Sequence, residues 1–493
     1  MKKFYIIIVI IIILIGGLTY YILNKEKPTD TSVDDIIAEA EKYLENKQYS
    51  KALEQYKLAI NTDPSKTDAY LKASDIYISK SKDNEATELL KNGVNSVTNP
   101  DDVHYKIGTI LFDNYDVEGA LEYFEKAYKE NPNNWQNSIE LVKTYSYYSD
   151  RKEDSIKVLN KIKTEENDGL RMKNYYLALL HSDDADKMIS YLEDTSSLND
   201  DSIKESINQL LQTAKKIKSD PDDIVQNNTL LAYEMISSEL YNYSISLLDT
   251  VIGENDEYYA AYMYKGICYI NMNDYDNAVE NLSTSVAIDP DQVQPNLFLA
   301  QVYTMQNNQK DAIDTYEKAL TLEPDNESVR YDYTESLISF GLYSQAKHQY
   351  TELINMESDN KLKYIIELTE IEIDYLENFT EALESIKEAT IDSSNFSGKD
   401  SELKSKALDM LGWANLKNGQ KDEALKYFNQ SQEIYPYLAK SYYHLGILYN
   451  EIDNDNEAKI NFERAIDLDL SGQISSKASS ELENMSHEDT TEN

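Results

Sequence analysis

The sequence predicts an all-α solenoid of antiparallel helix hairpins behind a single N-terminal membrane-spanning helix. Three observations lead to this fold class: alanines with a 34-residue period, prolines that keep the same period, and an uncharged apolar N-terminal segment. The alanines form three series, which are Ala52, Ala86 and Ala120, then Ala278, Ala312 and Ala346, then Ala424 and Ala458. Pro290 and Pro324 are one period apart, and Pro64 and Pro132 are two. A fixed period of this length is typical of stacked helical hairpins, in which each repeat contacts only its neighbours.

The apolar segment, residues 4–23, contains no charged residue and is rich in isoleucine. A helix of this length spans about 30 Å, the thickness of the hydrocarbon core of a bilayer. A cleaved signal peptide is the alternative, but the apolar run is longer than a usual signal core and no A-x-A-like cleavage site follows it. A lipoprotein is excluded because the single cysteine is Cys268. We therefore predict an uncleaved transmembrane helix.

Membrane orientation depends on the basic residues on either side of this segment. Lys2 and Lys3 precede it, and Lys25 and Lys27 follow it among acidic residues. Because acidic residues contribute little to the positive-inside rule, the two sides nearly balance, and the short N-terminal tail (1–3) with its free amine favours the cytoplasm. We therefore expect a single-pass cell-membrane protein whose linker (24–32) and repeats are extracytoplasmic. A single cysteine is compatible with an oxidising compartment.

Residues 259–292 show how one period forms a hairpin. On the first helix, an i, i+4, i+7 spacing relates Tyr262, Gly266 and Tyr269. On the second helix, the same spacing relates Ala278, Leu282 and Ser285. Pro290 ends the second helix because proline lacks a backbone N–H. Since closely packed helices need small residues where their axes cross, we expect Gly266 and Ala278 to face each other.

This pattern resembles the tetratricopeptide repeat family, whose 34-residue units carry small and bulky residues at set positions. The match is best in five windows, which begin at Asp101, Tyr259, Val293, Ser405 and Ala439. In the first window the matching residues are Ile107, Gly108, Leu111, Ala120, Phe124, Ala127 and Pro132. Looser copies begin near Val33, Thr67, Gln136, Val225, Glu327 and Lys363, so eleven windows cover most of residues 33–470. The resemblance implies a right-handed superhelical solenoid.

The repeats divide the chain into segments. We expect tetratricopeptide repeats over residues 33–164 and 225–470. Residues 165–224 lack the small residues of the pattern but keep helical periodicity, so we predict degenerate helical hairpins there. Near the end, one narrow apolar stripe predicts a capping helix over residues 471–486, followed by a disordered acidic tail over residues 487–493. The stripe consists of Ile474, Ala478, Leu482 and Met485.

The chain is strongly acidic, with 47 Lys and Arg residues, 89 Asp and Glu residues and a formal net charge of −42. Such a surface repels nucleic acid and anionic lipid headgroups. The excess of acid either keeps a long solenoid soluble, which we favour, or attracts basic partners. The sequence has no phosphate-binding glycine loop, no zinc-binding histidine motif and no complete calcium loop. We therefore predict a protein that is not an enzyme and that uses no metal, cofactor or small-molecule substrate.

In the resembled family, exposed positions of the first helices line a concave groove that holds peptide segments or partner helices. Carried onto this chain, the groove residues are Tyr105, Met263, Ile267, Leu297, Met305, Trp413 and Tyr443. Aromatic and methionine side chains suit peptide contact, although each of these could instead pack against a neighbouring helix. Some family members clamp a partner's C-terminal carboxylate with lysine, asparagine and arginine on adjacent first helices, and in the Ser405 repeat the lysine and asparagine positions can be located. The corresponding positions here are Asp409 and Trp413, which argues against a clamp in this repeat.

These observations predict a membrane-anchored scaffold that binds segments of partner proteins in the groove of a repeat solenoid. The alternative is an assembly or regulatory subunit of a membrane-bound complex for cell-surface polymer synthesis or export. An enzyme whose site lacks a known motif is the least favoured hypothesis.

Overall fold

The structure is a computed structural model that describes residues 32–196, 203–356, 358–391 and 401–491. All regular secondary structure in these ranges is helical, which confirms the predicted all-α solenoid class. The predicted membrane segment, residues 4–23, lies outside the described residues. Among the helices that are described, none combines the length and the apolar composition needed to cross a bilayer.

The chain forms two compact units, and the first is Met1–Thr98. Its described part contains two hairpins. They are formed by α1 (Val33–Glu45) with α2 (Tyr49–Thr62), and by α3 (Thr67–Ser79) with α4 (Asp83–Gly93). The first helix begins with a capping box, because Ser32 Oγ accepts from the Asp35 N–H and the Asp35 carboxylate accepts from the Ser32 N–H, both at 3.2 Å.

The second unit is Asn99–Asn493 and contains ten hairpins and two single helices within its described residues. The helices of its first half are α5 (Pro100–Asp113), α6 (Val117–Glu130), α7 (Trp135–Tyr145), α8 (Lys152–Lys161), α9 (Asn167–Leu180), α10 (Ala185–Ser196), α11 (Lys204–Ser219), α12 (Ile224–Ser237), α13 (Tyr241–Glu254), α14 (Tyr259–Asn271) and α15 (Tyr275–Ile288). Those of its second half are α16 (Val293–Met305), α17 (Gln309–Leu322), α18 (Glu327–Ser339), α19 (Tyr343–Asn355), α20 (Lys361–Asp374), α21 (Phe379–Ile391), α22 (Ser401–Lys417), α23 (Lys421–Ile434), α24 (Ala439–Glu451), α25 (Asp455–Leu468) and α26 (Gln473–Thr491). Each of the eleven sequence windows begins within four residues of the start of the first helix of a hairpin.

Most of the turns inside these hairpins share one backbone geometry. After α14, for example, Asn273 has a φ of 57°, and the Asp274 N–H donates to the Tyr269 carbonyl at 2.9 Å. A residue with positive φ at the end of a helix, followed by an N–H that donates to the carbonyl five residues earlier, forms a Schellman cap. The same arrangement follows α1, α3, α5, α12, α16, α18, α22 and α24. The turns after α7 and α9 contain no residue with positive φ, so the standard hairpin geometry is interrupted there.

The small residue of the first helix packs against a bulky residue of the second helix, 16 positions later. A Cβ atom on Gly266 would lie 2.5 Å from Leu282 Cγ, and the three atoms nearest to it all belong to Leu282. The expected contact between Gly266 and Ala278 stays a prediction. In the register of this crossing, the glycine makes room for the bulky side chain of the second helix. Gly446 shows the same relation, since its Cβ would lie 2.5 Å from Phe462 Cε1.

The degenerate segment, residues 165–224, contains three helices, which form one hairpin and one additional helix. Helices α9 and α10 pack as a hairpin, and α11 packs against α10 and α12 without a second helix of its own. The hairpin turns before and after this segment meet. The Ser146 hydroxyl donates to the Glu239 carbonyl at 2.9 Å, the Asn242 N–H donates to the Ser146 carbonyl at 3.3 Å, and Lys143 Nζ lies 3.2 Å from Glu239 Oε1. Residues more than 90 positions apart are thereby brought together.

At the C-terminus, α26 packs against α25 and α24 through the predicted apolar stripe, with Ala478 fully buried. The helix continues to Thr491, five residues into the segment predicted as a disordered tail. Extending an existing helix adds one hydrogen bond per residue fixed, so polar residues can continue the helix past the apolar stripe. Residues 492–493 lie outside the described part of the chain.

A groove along the C-terminal repeats

Two adjoining cavities form a groove on the first helices of the last repeats, which we term the C-terminal groove. The smaller cavity, of about 330 Å³, is lined by Lys363, Ile366, Glu367, Glu370, Leu403, Lys406, Asp409, Met410, Leu438 and Lys440. The larger cavity, of about 540 Å³, is lined by Ile373, Asp374, Tyr375, Glu377, Phe379, Trp413, Lys417, Lys440, Tyr443, His444, Ile447, Ile474, Lys477 and Glu481. Lys440 borders both cavities, so they are neighbours along one surface.

Stacking of the repeats places these residues on one face. The first helices α20, α22 and α24 pack side by side, and α24 packs against the capping helix α26. Along α24, the lining residues Lys440, Tyr443, His444 and Ile447 follow helical spacing, so they share one side of the helix. The groove therefore contains one stripe from each successive first helix.

A buried polar cluster supports the larger cavity. The rings of Trp413 and His444 stack with centroids 4.1 Å apart and planes 7° from parallel. His444 Nδ1 lies 3.1 Å from Asp409 Oδ2, and the two side chains are 2% and 1% exposed. Trp413 Nε1 donates to Asp374 Oδ1 at 2.9 Å. These contacts join α20, α22 and α24, and they fix the indole as part of the cavity wall, because buried polar groups are costly unless they are hydrogen-bonded.

A carboxyl group with a raised pKa borders the smaller cavity. Burial raises the pKa of Glu367 to about 7, opposed by the ammonium of Lys363, and Glu335 raises it further. The Tyr350 hydroxyl lies 3.0 Å from Glu335 Oε1 and 3.2 Å from Glu367 Oε2. A tyrosine hydroxyl carries one hydrogen, so it donates to one of these carboxyl groups at a time. Burial therefore favours the neutral form of Glu367.

The groove is less acidic than the chain as a whole. Five lysines and six Asp or Glu residues line the two cavities, whereas the full sequence has 47 Lys and Arg residues against 89 acidic residues. Several of these charges already have partners. Lys440 pairs with Glu370, and Lys417 Nζ lies 4.2 Å from the centre of the Trp413 ring. The surface that remains combines apolar side chains with charges of both signs.

The predicted groove residues lie in several different places. Trp413 and Tyr443 line the larger cavity together, but Trp413 is only 6% exposed and acts as a wall rather than as an exposed anchor. Met305 is 54% exposed and lines another cavity, at the hairpin turns. The remaining four, which are partly buried on their own helices, are Tyr105, Met263, Ile267 and Leu297.

Sequence reasoning missed several residues of the groove. Lys440 and Ile447 share the helical face of Tyr443 at spacings of three and four residues, a signal that could have identified them. Asp409 occupies the position of a clamp lysine, and its carboxylate oxygens lie 3.2 and 3.1 Å from His444 Nδ1 of the next repeat. Within the described residues, no cluster of three or more His, Cys, Asp and Glu side chains could hold a metal ion.

Comparison with known families identifies the repeats. Models described as tetratricopeptide repeat match residues 101–134, 269–327, 405–438 and 439–471. These matches fall on the five windows that fit the pattern best, and they confirm that the chain contains tetratricopeptide repeats. The last two matches cover most of α22 to α25, and thus part of the C-terminal groove.

Several solved structures are similar to this chain. The APC/C hetero-tetramer Cut9–Hcn1 is 14% identical, with a TM-score of 0.34 and coverage of 94% of this chain and 98% of that chain. YrrB, described as a TPR protein with an unusual peptide-binding site, is 18% identical, with a TM-score of 0.29 and coverage of 47% and 97%. Yeast Tom70 is 15% identical, with a TM-score of 0.28 and coverage of 94% and 97%. No curated protein sequence matches the chain. At identities and scores this low, no partner or binding residue is transferred to this chain.

Proposed function

We propose that this tetratricopeptide-repeat chain is a membrane-anchored scaffold that binds a segment of a partner protein in the C-terminal groove. The observation that carries the proposal is the pair of adjoining cavities, which are lined by successive first helices and share Lys440. Tetratricopeptide repeats are suited to interactions between proteins, because stacked repeats create an extended binding surface.

The two cavities suit a segment that inserts apolar side chains. Ile366, Leu403 and Met410 contribute apolar surface to the smaller cavity, and Phe379 and Ile447 contribute to the larger one. Their volumes of about 330 and 540 Å³ fall within the range of pockets that hold whole apolar groups. Side chains buried in such pockets supply most of the binding free energy of an interface.

The charges of the groove indicate how the partner is selected. With lysines and carboxylates in nearly equal number, the groove has little net field for steering a strongly charged partner. We therefore expect an amphipathic segment with apolar anchors and paired charges of both signs. Binding should survive salt of roughly 0.5 M, because ion pairs at the rim are screened whereas apolar contacts are not.

The membrane anchor is the second part of the proposal. The uncharged residues 4–23 support it, together with the two lysines before them. In the proposed topology, the N-terminal tail is cytoplasmic and the repeats are extracytoplasmic. Tethering would keep the groove at the membrane surface, where the partner is either another membrane protein or a member of a membrane-bound complex.

Site-specific photocrosslinking in intact cells tests the groove. A photoreactive amino acid in place of Ile447 on α24, inside the larger cavity, should crosslink to a partner segment that mass spectrometry can identify. The matched control is Ile460 on α25, which is 57% exposed and lies outside both cavities.

The expected result is a crosslinked protein at position 447 that is absent or much weaker at position 460. Equal crosslinking at both positions, or crosslinking at position 460 alone, would show that the partner binds another surface. Absence of any crosslink at position 447 across growth conditions would also contradict the proposal.

A further inference from the structure

A third cavity lies at the hairpin turns of the second unit, away from the C-terminal groove. We term it the turn cavity; its volume is about 400 Å³, and its walls come from the turns after α5, α7, α12 and α14 and from the end of α16. It exists because the turns before and after the degenerate segment meet, through the hydrogen bonds of Ser146 with Glu239 and Asn242.

Five of the eleven residues that line the turn cavity are aromatic. Tyr147 packs edge-on against Phe112 at a centroid distance of 5.5 Å and against Tyr241 at 5.8 Å. Tyr115 and Tyr275 complete the aromatic lining, and the Tyr115 side chain is 65% exposed. Because aromatic rings have negative faces, several rings around one cavity favour a cation.

The polar part of the wall is anionic. Asp113 and Glu239 line the cavity, and none of the described residues that line it is lysine or arginine. Lys143 Nζ, which contacts the lining residue Glu239, lies between two carboxylates, 3.1 Å from Glu140 Oε1 and 3.2 Å from Glu239 Oε1. Burial raises the pKa of Glu140, and the nearby carboxylates of Glu239 and Asp113 raise it further, against the effect of Lys143.

The backbone adds to this field. Asp113, Asn271 and Met305 are the last residues of α5, α14 and α16, so three helix C-termini meet the cavity. The C-terminal end of a helix carries partial negative charge and stabilises cations. Rings, carboxylates and helix ends therefore favour the same kind of ligand.

We propose that the turn cavity is a second binding site, which takes an arginine side chain from a peptide segment. A guanidinium group can stack its plane on a tyrosine ring while two of its N–H groups pair with one carboxylate, and an ammonium group lacks this planar, bidentate geometry. The cavity also exceeds the size of one guanidinium group, which leaves room for the peptide on either side, next to the amide of Asn273. This site is independent of the C-terminal groove and of the proposal made for it.

The test uses the full chain in an uncharged maltoside detergent and a fluorescent glycine-rich peptide with one arginine. Fluorescence anisotropy in about 0.15 M salt measures affinity. The comparison peptides replace the arginine with citrulline, which has a similar shape without the charge, or with lysine, and free choline serves as a competitor. We expect saturable binding of the arginine peptide and affinity at least about tenfold lower for citrulline.

Two variants test the cavity itself. Asp113→Asn with Glu239→Gln removes charge while keeping shape, and Lys143 retains Glu140 as a partner. Tyr115→Asn removes an exposed ring at a residue with a φ of 62°, a conformation that asparagine tolerates. Each should lower the affinity for arginine at least about fivefold. Asp256→Asn with Asp325→Asn, at exposed turn carboxylates outside the cavity, removes the same charge and should change affinity little.

Several results would overturn the proposal. Unchanged arginine binding in the cavity variants would do so, as would an equal loss in the Asp256→Asn, Asp325→Asn control, which would indicate a general effect of net charge. Tighter binding of lysine or choline would reject arginine as the ligand. Absence of saturable binding by the arginine peptide would reject the site. Circular dichroism of each variant establishes that its helices are intact.

Discussion

The replacement Gly446→Ala tests the packing rule that the small residue of each first helix makes room for a bulky residue of the second. Alanine has a higher helix propensity than glycine by about 1 kcal/mol, so an unhindered Gly→Ala change should stabilise a helix. At Gly446, however, the new methyl group would lie 2.5 Å from Phe462 Cε1 and 2.6 Å from Cδ1. Overpacking of this kind costs about 1–3 kcal/mol, so the propensity gain should be cancelled or reversed.

Gly253→Ala is the matched control, because Gly253 also lies in a helix and a Cβ there would meet nothing within 4 Å. Hydrogen exchange should show reduced protection of α24 and α25 in Gly446→Ala and unchanged or increased protection of α13 in Gly253→Ala. Adding Phe462→Leu to Gly446→Ala should recover part of the loss, since the smaller side chain relieves the contact. If Gly446→Ala proved as stabilising as Gly253→Ala, the proposed register of the hairpin would be wrong.

Three further predictions follow from other parts of the structure. Trp413→Ala should cost about 3–5 kcal/mol of local stability through the cavity it leaves, whereas Trp413→Phe keeps an aromatic ring but loses the bond to Asp374 and should cost less, about 1–3 kcal/mol; hydrogen exchange of α22 should separate the two. Because the pKa of Glu367 is raised from 4.5 to about 7, the stability it contributes is fully present below pH 4.5 and is lost as the pH rises through 7. Thermal unfolding of Glu367→Gln should therefore depend less on pH over this range, and an unchanged pH profile would contradict the assignment. Protease added to cells stripped of their wall should digest the repeats and leave residues 4–23, whereas resistance until the membrane is lysed would place the repeats in the cytoplasm.

The repeat architecture could be predicted because it depends on residues within one period. Alanine and proline spacing located the hairpins, and the five best windows coincide with the family matches. The register inside a hairpin could not be read in the same way. Gly266 and Ala278 are both small, and the sequence alone does not show that Gly266 packs against Leu282.

The site was harder to predict because its contacts join different repeats. Trp413 was expected to be exposed on its own helix, but it is covered by His444 and bound to Asp374, 31 and 39 positions away. The turn cavity depends on a still longer connection, since Glu239 meets Ser146 across the degenerate segment. That contact follows from the way three helices replace a regular hairpin pair, and no local pattern encodes it.

The central claim, that a partner binds in the C-terminal groove, is tested most directly by comparing Ile447→Asp with Ile460→Asp. Each variant replaces an isoleucine with aspartate, on α24 or on the neighbouring helix α25. Of the two positions, only Ile447 lines the larger cavity. Proteins crosslinked to the full chain in intact membranes would be purified and quantified by mass spectrometry. The account predicts at least one partner that is lost from Ile447→Asp and retained by Ile460→Asp in about 0.5 M salt. Retention of every partner by Ile447→Asp, with helix content unchanged, would contradict it.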